Sequence, residues 1–178
     1  MLQNPLDDKV RSQLAMALAD RRGADVTQAL ITLARHPDPR LRVLAASALA
    51  DRPGSLVTDT LLNLMDDSEF DVVHHASWAL KDRPGAETTI GLLNHAMRHH
   101  TTHLRGFATV MLANRTDSAI TQWFSRLATE APPGEDDLDF CYEVALLVAS
   151  NSRAWPRAER QQLLEAIGRF TQLCTGRR

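Results

Sequence analysis

"LADRPG" at Leu49 to Gly54 is written again as "LKDRPG" at Leu80 to Gly85, 31 positions further along a chain of 178 residues. The same frame moved back by 31 falls on "LADRRG" at Leu18 to Gly23, and moved forward by 32 it falls on the weaker "LANRTD" at Leu112 to Asp117. Four copies in register define an internal repeat, the mark of one supersecondary unit stacked on its neighbours. Between the copies the apolar residues keep helical spacing. Val26, Leu30, Leu33 and Ala34 share one stripe, and Val57, Leu61, Leu64 and Met65 repeat it. A break follows, "HPDPR" at His36 to Arg40 and "DDSEF" at Asp66 to Phe70, in which Asp38 with Pro39, and then Ser68, are placed to start a second helix. On that second helix Leu41, Ala45, Ala48 and Leu49 form a stripe, matched by Val72, Ala76, Ala79 and Leu80 and by Leu104, Ala108, Met111 and Leu112. The repeated phrase is therefore the end of the second helix and the turn into the next unit: leucine closes the stripe and Pro-Gly breaks the helix.

Worked outward, this frame organises the chain. "NPLDD" offers Asn4 as a cap, Pro5 at the first helical position and Asp7 with Asp8 in the first turn, so the sequence starts on a second-type helix. The expected order is a half repeat over 5–22, repeats over 23–53, 54–84 and 85–116, a degenerate fourth over 117–151, and a capping helix with a tail over 152–178. The whole reads as one all-α domain. Its frame is lost after Glu130, where "APPGEDD" is a loop rich in turn formers and acids, and terminal units of a stack are atypical because one face meets water.

Composition bounds the function. Net charge is −2, which excludes the strong positive balance of a nucleic-acid binder. Cys141 and Cys174 fit neither a disulfide framework nor a zinc ligand set, and read as buried small hydrophobes in a reducing compartment. The first residues carry no basic segment followed by an apolar core, and no apolar run approaches ~18 residues, so a cytoplasmic protein without a membrane span is expected. Of 20 basic residues only Lys9 and Lys81 are lysine, a skew that fits a GC-rich, bacterial genome.

Asp38, Pro39, Leu41, Arg42, Ala45, Ala48 and Leu49, written "DPRLRVLAASAL", place an acid, then leucine followed by arginine, then alanines and leucine. This pattern resembles the HEAT repeat, particularly the short form also found in phycobilin lyases, over roughly residues 5–130. The family arginine is Val73 in the next copy and returns as Arg105 in the one after. The resemblance implies a right-handed α-solenoid of helix pairs whose second helices line a concave face. It also implies protein binding as the commonest activity, with enzymes and DNA-binding members alongside.

Candidate residues are weighed on that frame. Trp78 aligns with Ser47 and Val110, one position before the buried alanine of each copy, which places an indole either on the outer side of the second helix as a binding anchor or folded over its neighbours to fill a gap between repeats. Around it the expected partner surface is Arg42, Val43, His74, Trp78, Lys81 and Arg105. "GEDDLD" supplies a secondary acidic patch of Glu135, Asp136, Asp137 and Asp139, suited to a basic partner. His95 and His99 stand four apart and His103 follows, a spacing that can bring imidazoles to one metal, yet no histidine is followed by the glutamate of HEAT-type hydroxylases. No metal and no cofactor are expected; His95 reads as a partly buried replacement for leucine and the others as exposed loop histidines. Asp20, Asp51 and Asp82, with Asn114, end their helices, where negative charge is disfavoured by about 0.3–1 kcal/mol, so the adjacent Arg21, Arg52, Arg83 and Arg115 predict an alternating acid–arginine ladder along one edge. Trp123, Phe124 and Phe170 read as core, and Trp155 before Pro156 as a staple under the last turn.

The sequence contains no nucleophile motif and no glycine-rich phosphate loop. The expected function is a non-enzymatic module that binds one partner protein on its concave face, as adaptor, regulator or inhibitor, toxin-neutralising immunity protein included. The alternatives are a HEAT-like DNA glycosylase, which needs a basic groove, and a histidine-cluster metal enzyme.

Overall fold

The computed structural model describes residues 10, 13, 17, 18, 21, 23–98, 102–113, 115–129 and 134–175. Among them every regular element is helical: α1 (Ala24–Leu33), α2 (Pro39–Leu49), α3 (Ser55–Leu64), α4 (Phe70–Lys81), α5 (Ala86–Arg98), α6 (Thr102–Leu112), α7 (Ser118–Thr129), α8 (Glu135–Ser150), a short 3-10 turn (Ser152–Ala154) and α9 (Arg157–Thr175). Contacts divide the chain into two compact units, Met1–Arg83 and Pro84–Arg178.

In the first unit α1 pairs with α2 and α3 with α4, while α1 also meets α3 and α2 meets α4, which makes two layers of like helices. The apolar stripes face inward: Leu30, Leu49, Leu61, Met65 and Leu80 are fully buried, as are Ala45 and Ala76 where α2 and α4 pack together. Alanine at those positions lets the two backbones approach, and removing any of the leucines is expected to cost about 2–5 kcal/mol. Asp38 caps α2 by accepting a 3.0 Å hydrogen bond from the Arg40 N–H, with Pro39 in the first turn. Before α4 the cap differs from the one expected. The N-cap position falls on Glu69, one residue after Ser68, with no side-chain cap hydrogen bond, and the Asp67 carboxylate accepts from the Glu69 N–H at 3.0 Å within the turn.

The repeated phrase has a specific structural job. Arg52 is 7% exposed, and its guanidinium reaches back into the preceding unit of the stack. It donates to the hydroxyl of Thr27 at 2.9 Å and to the carbonyls of Leu18 and Arg21 at 2.7 and 2.6 Å, while Nε donates to the Ala48 carbonyl at 3.0 Å. Arg83 repeats the arrangement one period later, donating to the Thr58 hydroxyl at 2.7 Å and to the carbonyls of Gly54 and Ala50 at 3.0 and 3.4 Å. Each threonine hydroxyl in turn donates to the carbonyl four residues before it, Gly23 or Gly54. The expected acid–arginine ladder is thus corrected: Asp51 and Asp82 are exposed, and Arg52 and Arg83 are held by backbone carbonyls and a threonine hydroxyl. Pro-Gly turns the chain as expected, with Gly54 and Gly85 at φ +118° and +108°. In the copy that has Arg22 in place of proline, Gly23 is extended at φ −161°.

The second unit has a two-layer plan of its own. First-type helices α5, α7 and α9 pack in succession, and second-type α6 packs on α8. Arg115, 8% exposed, donates to the Thr89 hydroxyl at 3.1 Å, the third clasp of the series, and Thr89 donates to Asp117. Here the core turns aromatic. Phe124, Phe140 and Phe170 are among its largest buried side chains, with the Phe124 and Phe170 rings 5.7 Å apart, so α9 closes the layer over α7. Trp155 is buried at 4% exposure, whereas Trp123, expected in the core, is half-buried at its margin with its ring edge on Phe124.

Candidate functional site

The second helices turn one side to the core and leave the other uncovered, and in the first unit the uncovered side of α4 carries a continuous strip of large side chains. Phe70, His74, Trp78 and Lys81 follow at steps of four, four and three, which places them in one row along the helix. Phe70 is 63% exposed and Trp78 59%. The row is held together internally. Phe70 stacks on His74 with ring centroids 6.1 Å apart, the Trp78 Nε1–H donates to His74 Nε2 at 2.9 Å, and the Lys81 ammonium sits 4.6 Å from the centre of the indole. His75 lies beside His74, ring edge to face at 5.6 Å, with its Nδ1 donating to the Asp71 carbonyl at 2.7 Å. An exposed indole fixed by a hydrogen bond on one side and a cation on the other loses little rotamer freedom when something covers it.

Other residues of the expected partner surface are arranged differently. Val43 is half-buried. Arg42 is no free recognition group: its Nε and Nη2 donate to the two carboxylate oxygens of Asp67, both at 2.7 Å, and Nη1 donates to the carbonyls of His36 and Pro37, both at 2.9 Å. Burial pushes the Asp67 carboxyl up, but the hydrogen bonds from Arg42 and from the Glu69 N–H outweigh it and hold it below the usual carboxylate range. Arg42 is raised in turn, chiefly by its hydrogen bond to Asp67. Arg105 belongs to the second unit and is likewise engaged there. It donates to Asp137 and, through Nε, to the Ala96 carbonyl at 3.1 Å, and its guanidinium lies over the Phe140 ring. That pairing also corrects the acidic patch, because Asp137 is turned inward; Asp139 is exposed, and the side chains of Glu135 and Asp136 lie outside the described residues. Phe70 was missed in the sequence, where it closes the turn "DDSEF"; its distance of eight from Trp78 is the signal that finds it.

Of the histidine cluster, the structure describes only the side chain of His95. His95, expected to be partly buried, is 0% exposed within the second unit, and His99 and the side chain of His103 fall outside the description. No group of three potential metal ligands occurs among the described residues. Cys141 is fully buried beside Met97, and burial pushes its thiol up to about 12. One groove of about 520 Å³ lies between the end of α2 and the starts of α1 and α3, rimmed by Gln28, Ser47, Asp51 and Leu56. Its polar floor, Arg52 and Thr27, is already occupied by their mutual hydrogen bond.

The family model for HEAT repeats matches residues 1–81, ending on the last residue of α4. Residues 1–81 are thus similar to HEAT repeats. No curated protein and no solved structure matches the chain. The strip from Phe70 to Lys81 lies on the last helix of the matched stretch, and HEAT repeats generally mediate contacts between proteins. No helix among the described residues is long and apolar enough to cross a membrane.

Proposed function

We infer that the chain is a non-enzymatic HEAT-repeat interaction module that binds one partner protein on the uncovered face of its second helices, with Trp78 as the anchor. The observation that carries this reading is Trp78 itself: a large apolar ring, 59% exposed, with its only polar atom satisfied by His74 and its ring backed by Lys81. Tryptophan fixed in this way is over-represented among the residues that dominate interface energies. The roles of adaptor, regulator and inhibitor, immunity protein included, share this mode of binding and differ only in what the partner does. The acidic patch is the weaker surface, since Asp137 serves Arg105.

The test is Trp78→Ala measured against the partner recovered from the native host. Binding is expected to weaken by about thirtyfold or more, with a melting temperature within a few degrees of the parent. A variant that binds as well as the parent places the site elsewhere, and one that melts far below the parent makes Trp78 a packing residue.

A further inference from the structure

Lys81 is one of two lysines in a chain whose other 18 basic residues are arginine, and it stands where the aromatic strip ends. Among the described residues its ammonium contacts the Trp78 ring and no carboxylate; Asp71 and Asp82, exposed at either end of the same helix, do not pair with it. The arginines around it show the contrast. Arg42, Arg52 and Arg83 are each consumed by three or more hydrogen bonds inside the first unit, so Lys81 presents a charge to the outside where they do not. The indole beneath it offers no hydrogen-bond donor, because that N–H is given to His74. What this row can recognise is therefore apolar along Phe70 and Trp78, with an anion at Lys81.

Resting on the reading of α4 as the binding face, we propose that the strip takes an apolar segment of a partner protein that carries an aspartate or glutamate, the carboxylate pairing with Lys81 while a large apolar side chain covers Trp78. Aspartates flank the row at both ends, so Lys81 alone distinguishes them and draws the acid of the segment to the end of the helix away from Phe70. A base stacked on the indole with its phosphate on Lys81 is disfavoured, for the row has one lysine, two flanking aspartates and a chain of net charge −2.

The experiment pans the full chain against a random peptide library. Enriched peptides are then measured by fluorescence polarisation with the parent, Trp78→Ala, Lys81→Met and Lys81→Arg, at low and high salt, with a labelled oligo-dT as a parallel probe. Enriched peptides are expected to carry an acid beside a large apolar residue and to lose binding with Trp78→Ala. Lys81→Met is expected to weaken them about fivefold and to flatten their salt dependence, and Lys81→Arg to keep both. Peptides that depend on Trp78 but carry no acid and ignore Lys81→Met overturn the proposal and leave the Trp78 face standing. Peptides indifferent to Trp78→Ala overturn the face itself. Basic peptides, a failure to enrich any, or oligo-dT binding lost in Trp78→Ala each overturn the assignment of an acidic, apolar protein segment.

Discussion

Arg83 Nε donates to the Thr58 hydroxyl across 2.7 Å and Arg52 Nη1 to the Thr27 hydroxyl across 2.9 Å, each pair 25 residues apart in the chain. The two bonds join the same positions of successive repeats through different guanidinium nitrogens. Arg52→Met keeps much of the side-chain volume and leaves the carbonyls of Leu18 and Arg21 without their donor, so stability is expected to fall by about 2–4 kcal/mol. Asp51→Asn, which changes an exposed neighbour, is expected to shift it by less than about 0.5 kcal/mol. Urea denaturation of the two variants checks both values, and equal losses would restore the acid–arginine ladder.

The two glycines that open α3 and α1 give opposite results on substitution. Gly54 has φ +118°, a conformation that L side chains rarely adopt, so Gly54→Ala is expected to cost about 1–3 kcal/mol although no atom lies within 4 Å of the added methyl. Gly23 is extended at φ −161° with equal room, and Gly23→Ala is expected to be neutral or stabilising by up to about 1 kcal/mol. Calorimetric melting of both variants decides this.

Asp67 sets a pH dependence of defined sign. Its carboxyl titrates lower in the folded chain than in the unfolded one, where it sits near ~3.9, so its contribution is complete well above that value. The contribution is lost as pH falls through the unfolded and then the folded value, from about pH 5 downward. Asp67→Asn cannot titrate. The parent is expected to be the more stable at neutral pH and to lose that advantage on acidification, which thermal melts of the two proteins from about pH 7 to about pH 3 will show as converging curves.

Cys141 is expected to resist alkylation. With no exposed surface and a thiol pushed up to about 12, it holds on the order of one thiolate in ten thousand at about pH 8. Mass spectrometry after iodoacetamide treatment should find it unmodified in the native chain and modified after denaturation.

The helices were legible because a repeat reports its own boundaries: the spacing of Leu49, Leu80 and Leu112 marks where second helices end, and Asp38 with Pro39 where one begins. Cap identity was harder. Choosing Ser68 over Glu69 is a slip of one residue within a turn, where Asp67 takes the Glu69 N–H and no side chain caps the helix. The arginines were misread for a different reason. Arg52 stands next to Asp51 in sequence, but its side chain is long enough to reach an acceptor one repeat away, and no local pattern reports that distance. Arg42 and Arg105 occupy positions that look solvated and instead pair with an acid further along the chain, Asp67 in the turn before α4 or Asp137 near the start of α8. Trp78 was placed by alignment with Ser47 and Val110, whose exposure it shares.

The arginine clasp also governs how such a chain can change over time. Its acceptors in the preceding repeat are largely backbone carbonyls, which every residue type supplies, so that segment can drift in sequence without releasing the guanidinium. Length is another matter. One residue gained or lost between Arg21 and Arg52 rotates every later position of the intervening helix by about 100° and carries Thr27 or the waiting carbonyls out of reach. Substitutions should therefore accumulate freely along these repeats while insertions and deletions arrive as whole multiples of the unit, with the arginine acting as the ruler against which each new copy is measured.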